Sequence, residues 1–268
     1  MTNLRFWGVR GSVAVPGPAT LEFGGNTSCV ELEGASDVIL FDGGTGIRAA
    51  GLNIAARGAS RIHLFLTHFH WDHIQGIPFF APLFHPETHV TIYSSSFSAP
   101  LHESLPVIMR APYFPIGFDA LAARVDFVDL GTDAVTLGDI SVRPFEVNHP
   151  QGACGYRVGY GGERFLYAPD REHGDARLDA LFQEEARGAT ALVISAQYTP
   201  EEYKSHRGWG HSTWLESTRV AREVGAKSLV LFHHDPSHSD DVLRRIESDA
   251  RREFPYTFMA KEGWSFEL

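Results

Sequence analysis

Three histidines and an aspartate crowd six residues of the chain, His68-x-His70-x-Asp72-His73, directly after the short apolar run Ile62–Leu66. Side chains alternate along an extended segment, so His68 and His70 point the same way and can share one metal ion. Where the chain turns into a helix, Asp72 and His73 project in new directions and can serve a second metal. Imidazole and carboxylate suit zinc, and also manganese or iron. A strand end with surface histidines explains one such residue easily. It does not explain four candidates in six positions.

A two-metal site needs more ligands, and later strand ends offer them. His149 follows the apolar stretch that ends at Glu146, Asp170 follows Phe165-Leu166-Tyr167, and His233 follows Leu229–Phe232. Singly, His149 also reads as a loop histidine and Asp170 as a helix cap. His234 competes with His233, and position on the strand favours His233. Three strand ends that each deliver one ligand type to a loop are how rigid scaffolds build sites. The chain has 14 histidines, concentrated at 68–73, 149, 206–211 and 233–238. His63 and His85 read as ordinary, and His238 as a surface residue. Cys154 reads as a small core residue.

The elements that must position these residues are legible as apolar runs between turn signals. Strands are predicted at Leu4–Val9, Cys29–Glu33, Val38–Asp42, Ile62–Leu66, Val90–Tyr93, Val125–Asp129, Val135–Leu137, Ile140–Glu146, Gly155–Val158, Phe165–Tyr167, Ala191–Ser195 and Ser228–Phe232. Helices are predicted at Ile47–Ala56 and Asp240–Arg252, with a third opened by Thr213-Trp214-Leu215-Glu216, which fits a capping box. The stretch from Ser195 to His211 reads as a loop.

The 268 residues are 43% hydrophobic and 21% charged, an ordinary globular balance that excludes disorder and fibrous architectures. No linker, repeat or low-complexity tract interrupts the chain. One α/β domain over 1–268 is therefore expected, with an inserted flap at about 100–124. The net charge of -10 argues against a stable nucleic-acid complex. A bound metal still makes a site locally positive for an anionic substrate. Two cysteines cannot build a disulfide framework, which points to a reducing compartment. With no signal-like start and no long apolar window, the expectation is a cytoplasmic protein without membrane contact.

The H-x-H-x-D-H cluster and the downstream His149, Asp170 and His233 resemble the metallo-β-lactamase superfamily, over nearly the whole chain. The resemblance implies a four-layer αββα sandwich with the site at one edge. It implies one metal held by His68, His70 and His149, another by Asp72, His73 and His233, and Asp170 as the bridge. Gly210-His211-Ser212-Thr213 is similar to a segment of ribonuclease Z-like enzymes whose histidine acts at the phosphate. LRFWGVRGS at 4–12, FGGNTSC at 23–29, Ala196–Tyr198 and His233-His234-Asp235-Pro236 resemble a subgroup of small bacterial and phage enzymes. That subgroup includes cyclic-nucleotide phosphodiesterases, among them phage anti-Pycsar proteins. Two positions depart from the pattern: Ser195 stands where an acidic residue is expected, and Ala168-Pro169-Asp170-Arg171-Glu172 lacks the usual Ser or Thr beside the aspartate.

The implied chemistry is phosphodiester hydrolysis, with a cyclic nucleotide as the expected substrate. Two divalent metals, zinc first and manganese or iron next, share a hydroxide that attacks phosphorus. Asp72 is both ligand and base, and His211 donates a hydrogen bond or proton. Asp42 buttresses the histidines. Arg10 and Asn26 are candidate substrate contacts at the rim, and Tyr113 of the flap is a candidate stacking residue. His206 and Trp209 are placed along the same cleft, and a homodimer is expected from the subgroup. The alternatives are ribonuclease Z-like cleavage of tRNA, a thioesterase or lactonase of the same fold, and a non-enzymatic binding module. All seven implied ligands being present argues against the last.

Overall fold

The structure, a computed structural model, describes residues 2–268. Its elements follow the apolar runs closely. The first strands are β1 (Asn3–Gly8), β2 (Cys29–Glu33), β3 (Val38–Phe41), β4 (Arg61–Phe65), β5 (His89–Ser94) and β6 (Arg124–Asp129). The next are β7 (Val135–Leu137), β8 (Ile140–Val147), β9 (Ala153–Tyr160), β10 (Glu163–Ala168), β11 (Ala191–Ser195), β12 (Ser228–Phe232) and β13 (Thr257–Met259). A last strand, β14 (Ser265–Glu267), returns to pair with β1. Among the described residues they form two seven-stranded sheets, ordered β14-β1-β2-β3-β4-β5-β6 and β13-β12-β11-β10-β9-β8-β7.

Longer helices cover the outer faces: α1 (Ile47–Ala56) lies on the first sheet. The chain then makes two single turns, α2 (Trp71–Ile74) and α3 (Leu101–Ser104). Helices α4 (Ala176–Ala186), α5 (Pro200–His206), α6 (Trp214–Glu223) and α7 (Asp240–Glu253) follow. The layering is written into single strands. In β3, Ile39 and Phe41 join the core between the sheets while Val38 and Leu40 join the core under α1. In β12, Val230 and Phe232 face the other sheet while Leu229 and Leu231 face α4, α6 and α7. Strands covered on both faces need no polar side, which is why they read as unbroken apolar runs. The result is the expected αββα sandwich.

Strand direction decides where chemistry can collect. Strands β3 to β6 run parallel, as do β10 to β13, and the antiparallel steps through β2 and β9 leave β1 and β8 running the same way as their sheet's parallel members. The carboxyl ends of β1, β3, β4, β8, β10, β11 and β12 therefore release their loops along one edge of the sandwich. Ligand sites of α/β sheets form at such ends.

Some expectations need correction. The stretch expected as a loop before His211 contains α5, which starts with Pro200 and a full capping box between Thr199 and Glu202. Helix α5 buries no residue, so no apolar periodicity announced it. At Thr213 the cap is one-sided: its hydroxyl accepts from the Glu216 N–H at 3.0 Å, without the reciprocal bond of a capping box. The segment expected as a flap is partly built in, because Leu101, Leu105, Ile108 and Met109 are buried in the core under α1. Among the described residues, no helix is long and apolar enough to cross a membrane.

Candidate metal centre

The edge loops bring the predicted ligands together. Ligand atoms of His68, His70 and His149 lie within 4.8 Å of one another, as do those of Asp72, His73 and His233. Asp170 stands between the two groups. One oxygen, Oδ2, is 2.9 Å from His73 Nε2 and 3.4 Å from His233 Nε2; the other, Oδ1, is 3.4 Å from His211 Nδ1 and 3.9 Å from His149 Nε2. Position 234 is settled by geometry: His234 turns away, with its Nε2 2.9 Å from the carbonyl of Ala260.

The hydrogen bonds behind each imidazole decide which nitrogen faces inward. Nδ1 of His68 meets Thr67 Oγ1 at 3.1 Å, Nδ1 of His73 meets Asp42 Oδ2 at 2.8 Å, and Nδ1 of His149 meets the Gly210 carbonyl at 3.0 Å. Nδ1 of His233 meets Gln197 Oε1 at 2.8 Å. These four rings therefore present Nε2. His70 is reversed: its Nε2 meets Gln151 Oε1 at 3.1 Å, and its Nδ1 faces His149 Nε2 at 3.2 Å. An oxygen partner on one ring nitrogen fixes the tautomer and leaves the other nitrogen's lone pair free for a metal.

Asp42 has the supporting position expected of it. Its buried carboxylate accepts from the Thr67 N–H, the Thr67 hydroxyl, the Tyr167 hydroxyl and His73. Asparagine tolerates the left-handed backbone at this position (φ 60°) but offers an NH2 where four donors converge. Asp42→Asn should lower metal affinity about 10- to 100-fold, measured by competition with a chromogenic chelator. Unchanged affinity would remove Asp42 from the supporting set.

Electrostatics agree with a cationic occupant. Burial pushes the His68 imidazole well below its usual range and lowers His149, which favours the neutral form that a metal ligand needs, and it takes His211 down to about 3. Burial alone would raise Asp170 and Asp72. The imidazoles around them outweigh it and hold both carboxyls well below the ordinary value. Burial also disfavours a proton on His73, yet Asp170, Asp72 and Asp42 together raise it well above the usual histidine range. Three carboxylates thus converge on a point that calls for positive charge. Among the described residues, the buried atom His68 Nε2 has no hydrogen-bond partner, and Asp170 Oδ2 has beside it only the Nε2 atoms of His73 and His233, which the tautomers above leave as lone pairs. Orphaned buried polar atoms are costly unless something else satisfies them. Five inward imidazole nitrogens and two carboxylates fit divalent metals.

Several neighbours were not foreseen. The N–H of Ser12 gives Asp72 Oδ2 a 2.7 Å bond. Gln151 and Gln197 set His70 and His233. Glu172 ties three loops: its carboxylate accepts from Gly208 N–H at 2.7 Å, Gly210 N–H at 2.8 Å and Tyr203 hydroxyl at 2.8 Å, while its own N–H donates to the Asn148 carbonyl at 2.8 Å. That explains how the loop bearing His211 holds its place although Ser or Thr is missing beside Asp170. A hollow of about 260 Å³ opens on the centre, lined by Ser12, His70, Trp71, Asp72, Asp170 and His211.

Other expected contacts lie elsewhere. Arg10 is fully buried, its guanidinium bonded to the carbonyls of Gly24, Asp235 and His238, so it clamps loops and does not meet substrate. The Asn26 side-chain amide donates to Glu262 at 3.0 Å. Tyr113 is exposed and does not line the hollow. His206 stacks on Tyr198, with Trp209 edge-on to it, and neither lines the hollow. His238 is buried and bonded to Glu202 at 2.9 Å, not a surface residue. Cys154 is a core residue, and burial pushes its thiol up to about 12.

A two-sheet αββα sandwich with histidine and aspartate clusters at the carboxyl edge defines a metallo-hydrolase of the metallo-β-lactamase type. A model of the beta-lactamase superfamily domain matches residues 38–234, and the chain belongs to that superfamily. Its phosphodiesterase side is represented among the relatives. A ribonuclease Z of Myxococcus xanthus is 26% identical, with 91% of this chain and 92% of that protein covered. A ribonuclease Z of Ligilactobacillus salivarius is 23% identical, with 88% and 89% covered. Among solved structures, the metallo-beta-lactamase fold protein YhfI from Bacillus subtilis superposes with a TM-score of 0.77 over 100% of this chain and 99% of its own, at 20% identity.

Proposed function

We propose that this chain is a two-metal phosphodiesterase. His68, His70 and His149 would hold one divalent cation, Asp72, His73 and His233 the other, and Asp170 would serve both. Zinc is the proposed metal, given the imidazole-rich donor set. The observation that carries the reading is the set of five imidazoles, each pinned from behind so that its other nitrogen turns inward around a shared carboxylate. Cations at these positions would polarise phosphoryl oxygens and make a water acidic enough to attack at neutral pH.

The chain's own groups divide the remaining work. Asp72 lies in the wall of the hollow, with Oδ2 fixed by the Ser12 N–H, and can orient the attacking water by accepting its hydrogen bond. His211 lines the same wall. With its imidazole lowered to about 3 by burial, it is neutral and gives a hydrogen bond to a phosphoryl or leaving oxygen, in place of a full proton. Glu172 holds the loop that presents it.

The substrate proposed first is a small diester such as a cyclic nucleotide. A 260 Å³ hollow without lysine or arginine in its lining, on a chain of net charge -10, suits a compact ligand drawn by the cations. A tRNA substrate is the second reading, favoured by the names of the curated relatives. The test is a panel of 3′,5′-cyclic mononucleotides, 2′,3′-cyclic nucleotides, precursor tRNA and a lactone, with metal content quantified and His68→Ala as control. Metal-dependent cleavage of cyclic mononucleotides, lost in the control, is expected. Cleavage of precursor tRNA alone would replace the first substrate with the second. Turnover of the lactone alone, or of nothing with two metals bound, would overturn the phosphodiesterase reading.

A further inference from the structure

We infer that Trp71 is the platform on which the base of a nucleotide ligand stacks. The inference rests on the phosphodiester reading of the site and on the nucleotide proposed for it, and adds the residue that receives the base. Trp71 is the first residue of α2, between His70 and Asp72. The turn sends Asp72, His73 and Ile74 inward, all buried, and sends the indole outward. Trp71 is 59% exposed and is the one apolar side chain in the lining of the hollow.

Size directs the ligand to this ring. The hollow of about 260 Å³ is smaller than the roughly 300–1,000 Å³ usual for pockets that enclose a whole organic ligand. With the phosphate beside the proposed metal ligands His70, Asp72 and Asp170, a base carried on the sugar reaches the rim where Trp71 stands. The rim offers the indole face within one residue of two proposed metal ligands. Tyr113 is similarly exposed, but it does not line the hollow. Stacking accepts any base, since each has a π face, so Trp71 confers affinity for nucleotides without choosing among them.

The experiment measures binding by the zinc-loaded protein using adenosine monophosphate and its base-free counterpart, ribose 5-phosphate. Calorimetry gives the ratio of the two dissociation constants. Trp71→Ala should shrink the preference for the base-bearing ligand roughly tenfold. Trp71→Phe, which keeps a ring, should retain most of the preference, and Tyr113→Ala should retain it fully. Adenosine monophosphate should quench indole fluorescence in the wild type and much less in Trp71→Phe. Where a cyclic mononucleotide is turned over, Trp71→Ala should act mainly through KM. An unchanged ratio in Trp71→Ala overturns the inference, as does a loss that appears in Tyr113→Ala instead. So does an unchanged ratio accompanied by lost self-association in sedimentation, which would make Trp71 a contact between copies. If no diester is cleaved, the phosphodiesterase reading fails, while the binding ratio still decides the role of Trp71.

Discussion

Asp170→Asn should cut kcat/KM at least roughly a thousandfold while leaving the fold intact. The side chain is buried at the centre of the site, with His73, His233, His211 and His149 nitrogens 2.9 to 3.9 Å from its oxygens. Asparagine keeps the shape and removes the charge. Of the residues proposed as direct ligands, only Asp72 and Asp170 are carboxylates, so one substitution removes half the negative charge that faces two dications. Metal content should fall from two ions per chain to one or fewer, and metal analysis with steady-state kinetics reads both effects. Two tightly held ions and wild-type turnover in Asp170→Asn would remove Asp170 as the shared ligand.

Gly210→Ala should cost about a hundredfold or more in activity, although position 210 carries no chemistry of its own. A methyl group there would sit 2.1 Å from His149 Nδ1 and 2.6 Å from Pro150 Cδ, and the backbone is left-handed, with φ 90°. The glycine carbonyl also holds His149, and its N–H donates to Glu172. The loop bearing His211 thus docks on the loop bearing His149 through a spot with room only for hydrogen. Gly208→Ala separates the two contributions. Its φ is 82°, but a methyl group there meets nothing within 4 Å. It should lower stability by about 1 kcal/mol through backbone strain and keep activity within a few-fold. Equal activity losses in the two variants would show that strain matters here and that displacement of His149 does not.

Much of the molecule was legible because its determinants are local. Apolar runs such as Val38–Phe41 and Leu229–Phe232 are buried on both faces, so each is unbroken and ends sharply. Because the strands that carry function run the same way, the residue after each apolar run falls on the same edge of the sandwich. A histidine or aspartate at such a place is readable as a candidate ligand without coordinates. Helix α5 escaped for the opposite reason, since an exposed helix leaves no periodic trace.

The sequence by itself determined the strands from β1 to β12 and the donor types collected at their ends, because alternation and chain termination of an apolar run act over a few residues. It did not announce β13, β14 or α4. Only the tertiary structure decided what stands behind each donor. His70 faces inward by Nδ1 because Gln151, 81 residues later, meets its Nε2, and His233 faces inward by Nε2 because Gln197, 36 residues earlier, meets its Nδ1. Arg10 was drawn from a supposed rim into a clamp on carbonyls 14, 225 and 228 residues away. Trp71, not Tyr113, came to border the hollow. Such partners are set by loops from different strands meeting at the sheet edge, and each buried donor or acceptor must be satisfied by whatever meets it there.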